Sequence, residues 1–284
     1  MVPRSVPACG AESPPTAASI RSELTAALAT LPGIHGRRCA GGLSMAYCDV
    51  LQGRPEETAA EHAAGACRAA WRADTTDGDE HWYTLQASRP AAEQLCEDLL
   101  RTKLSCRAVD AATHSLSRAV AWGAPEDASQ TFGLVEWGYA AVTYCSVRGG
   151  RPVYARQFKG LGLHVLEEQA CGELGVDRHA FDQLMNSRDA DSRAGLQELL
   201  RDLAEPLAAR LGGELERTLT HLRSHRRPAV PRRVHLFGGG ALLGFEGRLS
   251  ERAGCPVAPW KLSAAGPGID TPHCLLGPAI ALSA

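Results

Sequence analysis

Apolar residues recur at helical spacing in some stretches of the chain and alternate with polar ones in others, and these two periods divide the sequence into elements. Residues 19–31 place Ile20, Leu24, Leu28 and Leu31 on one face, with Ser19 as N-cap and Pro32-Gly33 as a stop, which predicts a helix. Gly36 to Leu51 reads as a strand with its connection. Residues 55–72, with Pro55 near the start and Glu56-Glu57 in the first turn, read as a helix. A turn at 75–79 leads into an extended segment. Ala92, Leu95, Leu99 and Leu100 then mark a helix, a short extended link follows, and Ala112 to Val120 mark another helix.

A sheet starts afresh near residue 131. From Thr131 to Phe158 apolar and polar positions alternate, and Gly149-Gly150 supplies the turn of a β-hairpin. Helical periodicity returns at 163–174, at 178–186 and, at length, at 192–225. Residues 232–257 then read as a strand, three consecutive glycines and a helix, and the apolar tail 273–284 reads as a terminal helix. Trp71, Trp82 and Trp122 fall in the first half, where such side chains fill a core or line a peptide groove.

Composition narrows the classes open to such a chain. With 284 residues, 44% of them hydrophobic, it can bury one large core or two moderate ones. Its 30 basic and 32 acidic residues are interspersed, which lacks the basic footprint of phosphate neutralisation and argues against a nucleic-acid partner. The 10 cysteines are scattered without a Cys-x-x-Cys pair, which argues against a structural zinc cluster and fits reduced cytoplasmic thiols. Residues 1–18, rich in proline and small side chains, are expected to form a disordered arm, and they lack the pattern of a secretory leader. No run approaches the ~18 consecutive apolar residues of a membrane span.

The chemistry-bearing signals are few. His221 and His225 sit four apart without a carboxylate ligand nearby, so no metal site is expected there, and no Gly-x-Ser-x-Gly elbow occurs. Residues 224–233 form a basic connection, either a solvated loop or a membrane-surface contact. Gly238, Gly239 and Gly240, followed by Ala241, lie between a strand and a helix, where missing Cβ atoms permit either tight packing or close approach of an anionic group. About a hundred residues earlier, Glu136 precedes Trp137, Gly138, Tyr139 and Ala140 at a strand bend. Backbone N–H groups there could cradle phosphate, and the acid could face hydrated magnesium.

The stretch from Gly133 to Gly162 resembles the second phosphate hairpin of the actin-like ATPases, and Arg233 to Val257 resembles their adenosine-binding turn. Within that family the likeness is to the type IV pilus assembly PilM proteins and, more distantly, to the cell-division protein FtsA. The resemblance implies an α/β, two-lobed, ribonuclease H-like architecture. A first lobe would span 19–130, lacking its opening strands and so leaving an exposed sheet edge able to pair with another copy, and a second would span 131–284.

It also implies ATP and Mg2+ as ligands, with Gly138, Tyr139, Ala140, Asp182, Gly238, Gly239, Gly240 and Ala241 at the nucleotide and Glu136 as the catalytic acid. The departures are specific. The Asp-x-Gly loop of the first hairpin is absent, Glu136 stands for the usual Asp, and bulky Trp137 and Tyr139 with Ala140 replace small hydroxyl residues. Met185 stands where a Lys contact belongs, and Asp182 is either a sugar contact or a plain surface carboxylate. The expectation is a cytoplasmic scaffold at the inner face of the membrane, recruiting the tail of a PilN-like inner-membrane protein, with nucleotide binding weak or lost. The alternative is an active ATPase or small-molecule kinase of the same fold.

Overall fold

The computed structural model describes residues 38–53, 66–74, 80–123, 130–185, 190–226 and 229–261. The arm, the helix expected at 19–31 and the terminal helix expected at 273–284 lie outside the described residues.

Three sheets organise the rest. Strands β1 (Arg38–Leu43) and β5 (Ser105–Ala111) form a parallel pair, and β2 (Cys48–Gln52), β4 (Glu80–Ser88) and β3 (Ala66–Asp74) form an antiparallel sheet in that order. The third sheet runs β10 (Val257–Pro259), β9 (Val234–Phe237), β6 (Phe132–Trp137), β7 (Val142–Arg148), β8 (Arg151–Phe158), with β6 parallel to β9 and antiparallel to β7. The β7–β8 turn is at Gly149-Gly150, whose φ angles of 56° and 72° are those a two-residue hairpin turn requires.

Helices follow the periodicity. Helix α1 (Arg89–Arg101) begins at an N-cap Ser88, whose hydroxyl accepts from Ala91 N–H, and has proline in its first turn. Leu99 is buried, whereas Leu100 points to solvent. Helix α2 (Ala112–Gly123) packs Leu116, Ala119 and Val120 against Phe132, Leu134, Cys145 and Val147 of β6 and β7, so apolar packing runs across residue 130. Helices α3 (Leu163–Leu174), α4 (Arg178–Met185) and the long α5 (Ala190–His225) follow. Along α5, Ala204, Leu207, Ala208, Leu211, Leu215, Leu219 and Leu222 keep the three-to-four spacing and are all buried. Helix α6 (Glu246–Ala253) packs on α5.

The helix expected at 55–72 is not what forms over its described part. Residues 66–74 are strand β3, paired residue for residue with β4 from Ala66↔Ser88 to Asp74↔Glu80. Its alanines favour a helix in isolation, but nine paired positions and the burial of Trp71 opposite Tyr83 outweigh that preference. Trp71 is therefore core, Trp82 is half-buried, and Trp122 is exposed, outside the core.

The five-stranded sheet closes around Trp137, which is fully buried and donates its indole N–H to the Leu161 carbonyl at 2.9 Å. Its ring lies on Gly240, where an added Cβ would come within 2.1 Å of the indole Cγ. Gly238, at φ 81°, faces the Trp137 carbonyl, 2.5 Å from where its own Cβ would stand. Gly238 and Gly240 thus serve close packing against Trp137. A Gly240→Ala chain should lose about 3 kcal/mol or more in urea unfolding, because the ring has no free space to yield. Trp137→Ala should lose about 3–5 kcal/mol through the cavity it leaves. Wild-type stability in Gly240→Ala would show that the contact is not tight.

Candidate functional site

Strands β6 and β9 are adjacent and parallel, Glu136 pairing with Phe237, so the Trp137–Ala140 bend and the Gly238–Ala241 turn leave the same end of the sheet side by side. The carboxyl ends of parallel strands are where open α/β sheets hold ligands. Beyond them a cavity of about 920 Å³ opens, walled by Tyr139 from the bend, Gly239 and Leu242–Gly244 from the turn, Leu163, Leu166 and Glu167 of α3, Phe181 of α4, and Gln197, Glu198, Leu200 and Arg201 of α5. Its volume and apolar walls suit a flat ring system the size of a nucleoside.

The turn itself is a 3-10 segment, Gly239–Leu242, closed by Ala241 N–H donating to the Gly238 carbonyl at 3.1 Å. Of the four residues expected there, Gly239 lines the cavity, whereas Gly238, Gly240 and Ala241 stand behind it against Trp137 and the core. An added Cβ at Gly239 would meet only the tip of Leu163, at 2.7 Å from Cδ1.

The bend is held from below by α3. Leu163 N–H donates to the Gly138 carbonyl at 3.1 Å, and His164 donates to the Tyr139 carbonyl from its backbone at 3.0 Å and from Nδ1 at 2.8 Å. Gly162 permits this approach, since a Cβ there would be 2.3 Å from the Tyr139 carbonyl oxygen. Gly138 N–H is spent on the Ala141 carbonyl at 3.1 Å, which leaves it no free donor for a phosphate.

Tyr139 forms a latch at the cavity mouth. Arg178 lies over its ring, 5.5 Å from the centroid, and pairs through Nε with Glu167 Oε1 at 2.9 Å. Burial, then the hydrogen bond to Glu167 and that carboxylate's charge, push the Tyr139 phenol up to about 12, so it stays a neutral donor. Glu136 is different in kind. Burial raises its carboxyl above the ordinary glutamate range, and no ion-pair partner faces it among the described residues. An acid so placed gains from a cation beside it.

Asp182 falls in α4, but its side chain lies outside the described residues; its neighbour Phe181 lines the cavity. The walls from α3 and α5 went unforeseen, because helical spacing announces a buried face without saying that part of it borders a void. No metal-holding group of His, Cys, Asp and Glu occurs among the described residues. No helix among them is long and apolar enough to cross a membrane.

The chain superposes on the PilM-PilN type IV pilus biogenesis complex with a TM-score of 0.70 at 17% identity, over 94% of this chain and 83% of that one. The fold is actin-like. More distant similarities are to the ethanolamine utilization protein EutJ from Carboxydothermus hydrogenoformans (TM-score 0.48, 13% identity, 68% of this chain and 60% of that one). Another is to MreB 5 of Spiroplasma citri bound to AMPPNP (TM-score 0.40, 12% identity, 68% and 64%). No family model and no curated protein matches the chain.

Within this actin-like fold the cavity offers a nucleoside apolar walls and the Tyr139 ring. Arg178 is paired with Glu167, and Gly138 N–H donates within the bend to the Ala141 carbonyl.

Two measurements test this reading of the cavity. Millimolar magnesium-ATP is expected to leave the thermal midpoint unchanged; a rise of several degrees that Gly239→Asp abolishes would establish a working nucleotide cleft instead. Glu136→Gln should raise stability at pH 7. The folded carboxyl holds its proton to higher pH than the unfolded one, so wild-type stability falls as pH rises through that window, and the penalty is complete above the raised value. The advantage of the variant should vanish below the ordinary glutamate range, as read by unfolding at a series of pH values.

Proposed function

We propose that the protein is an actin-like scaffold of a type IV pilus or related secretion assembly. It works in the cytoplasm at the inner face of the membrane and recruits the cytoplasmic tail of a PilN-like inner-membrane protein. The observation that carries this reading is the correspondence over 94% of the chain with the PilM-PilN type IV pilus biogenesis complex. The Gly138 N–H turned into the bend supports a role in binding over one in hydrolysis.

We place the docking of an extended tail in the first half of the chain. Strand β3 is the edge of its sheet, paired only with β4 among the described residues, so its outer N–H and C=O groups are open to a further strand. Beneath it lies a cavity of about 200 Å³, bordered by Cys67, Arg68 and Ala69 of β3, Leu85 of β4, Leu43 of β1 and the Asp110–His114 corner.

Two buried polar atoms in this region have no hydrogen-bond partner, Trp71 Nε1 and His114 Nε2, on rings 5.0 Å apart. Native structures rarely leave such groups unpaired, and a peptide carbonyl or amide would satisfy them. Asp110 anchors the corner. Burial pushes its carboxyl up, but hydrogen bonds from His114 and Arg118 and the Arg118 charge outweigh that and hold it below the usual range.

The test is binding of the PilN-like tail as a labelled peptide to the full chain, read by fluorescence anisotropy. Trp71→Phe keeps the ring and removes the donor, and should weaken binding up to about tenfold, the worth of one hydrogen bond. Absence of binding to the wild type, or equal binding by Trp71→Phe, would count against this placement.

A further inference from the structure

The fold gathers three cysteines that are far apart in sequence. Cys39 on β1 and Cys106 on β5 are direct register partners of the parallel pair. Cys96 on α1 and Cys39 both lie near Cys106, whose thiol donates to the Ala108 carbonyl at 3.2 Å. All three are free and half-buried, within reach of a small reagent.

Neighbouring strands run about 4.8 Å apart, so partners in register have Cα atoms inside the ~4.4–6.8 Å range that a disulfide spans. The backbone loosens where the pair sits, with an irregularity in the register between Cys39 and Ala40. Helix α1 lies on the same two strands, its Leu95 against Gly41, which keeps Cys96 beside them.

We propose that Cys39, Cys96 and Cys106 form a thiol–disulfide exchange site, which a low-molecular-weight disulfide such as glutathione disulfide oxidises to an internal cystine centred on Cys106. The Cys106 thiolate attacks one sulfur of the reagent, the reagent's S–S bond breaks, and one glutathione thiolate leaves. The Cys39 or Cys96 thiolate then attacks Cys106 Sγ and expels the second glutathione. The protein loses two electrons and two protons, and the reagent gains them as two thiols. Burial raises the Cys39 and Cys96 thiols above their ordinary range, so the second step is favoured by mildly alkaline pH.

Cys67 provides the internal comparison. It is exposed and free, on β3, and can take up glutathione as well as the cluster can. Without an adjacent thiol, it should retain the glutathione.

The experiment treats the reduced full chain with excess glutathione disulfide, blocks remaining thiols with iodoacetamide, and maps non-reduced peptides by mass spectrometry. The expected product joins Cys106 to Cys39 or Cys96, carries no glutathione on the cluster, and melts at a higher temperature than the reduced chain. In Cys106→Ser that linkage should be absent while Cys67 is modified as before. Two outcomes overturn the proposal: cluster cysteines recovered as alkylated thiols while Cys67 carries glutathione, or glutathione retained on Cys106 of the wild type. A cross-link of Cys39 to Cys96 persisting in Cys106→Ser would equally overturn the central place given to Cys106.

Discussion

The seating of the Trp137 indole on the bare backbone of Gly240 is the contact on which the second lobe depends. It joins the end of β6 to the start of the glycine turn, and through the indole N–H it also fixes Leu161 and therefore the entry into α3. α3 in turn supports the Tyr139 bend from beneath. One aromatic ring thus sets the spacing of three elements that border the large cavity. No other side chain has the flat area to lie on a glycine backbone and an N–H to reach a carbonyl on the far side.

That same contact separates two roles that a glycine-rich turn can have. A turn opened for a ligand keeps its backbone face free, whereas here the inner face is filled by the protein itself and only Gly239 meets the cavity. What remains is a void of about 920 Å³ whose walls are largely apolar, with Glu167, Glu198 and Arg201 among them. An interior acid at Glu136 lacks a counter-charge, and an aromatic latch at Tyr139 is already satisfied by Glu167 and Arg178. A site with these properties recognises shape more readily than charge, which agrees with a binding role.

Much of this architecture could be read along the chain. The β7–β8 hairpin followed from Gly149-Gly150, the long helix from its leucine spacing, and the strand–glycine–helix unit from residues 232–257. Helix α1 followed from Ala92, Leu95, Leu99 and Leu100. Strand β3 was hidden because its alanines carry helix preference, and only its partner β4 supplies the reason to be extended.

The glycine turn was legible as a close approach, but not what approaches it, since Trp137 lies about a hundred residues away and its direction is set by sheet register. The three-thiol cluster was invisible for the same reason. Cys39, Cys96 and Cys106 have no local signature, and only a parallel strand pairing and a helix laid across it bring them together.

The distance along the chain between Trp137 and Gly240 has a consequence for biosynthesis. At about 5–20 residues per second, the ribosome takes roughly 5–20 s to deliver the platform after the ring. Throughout that interval β6, β7 and β8 can form as a meander with α2 packed on it, but the Trp137 ring stays without its glycine platform. The nascent sheet therefore keeps this large apolar ring exposed until the glycines emerge, and a ribosome that pauses before residue 240 prolongs that exposure.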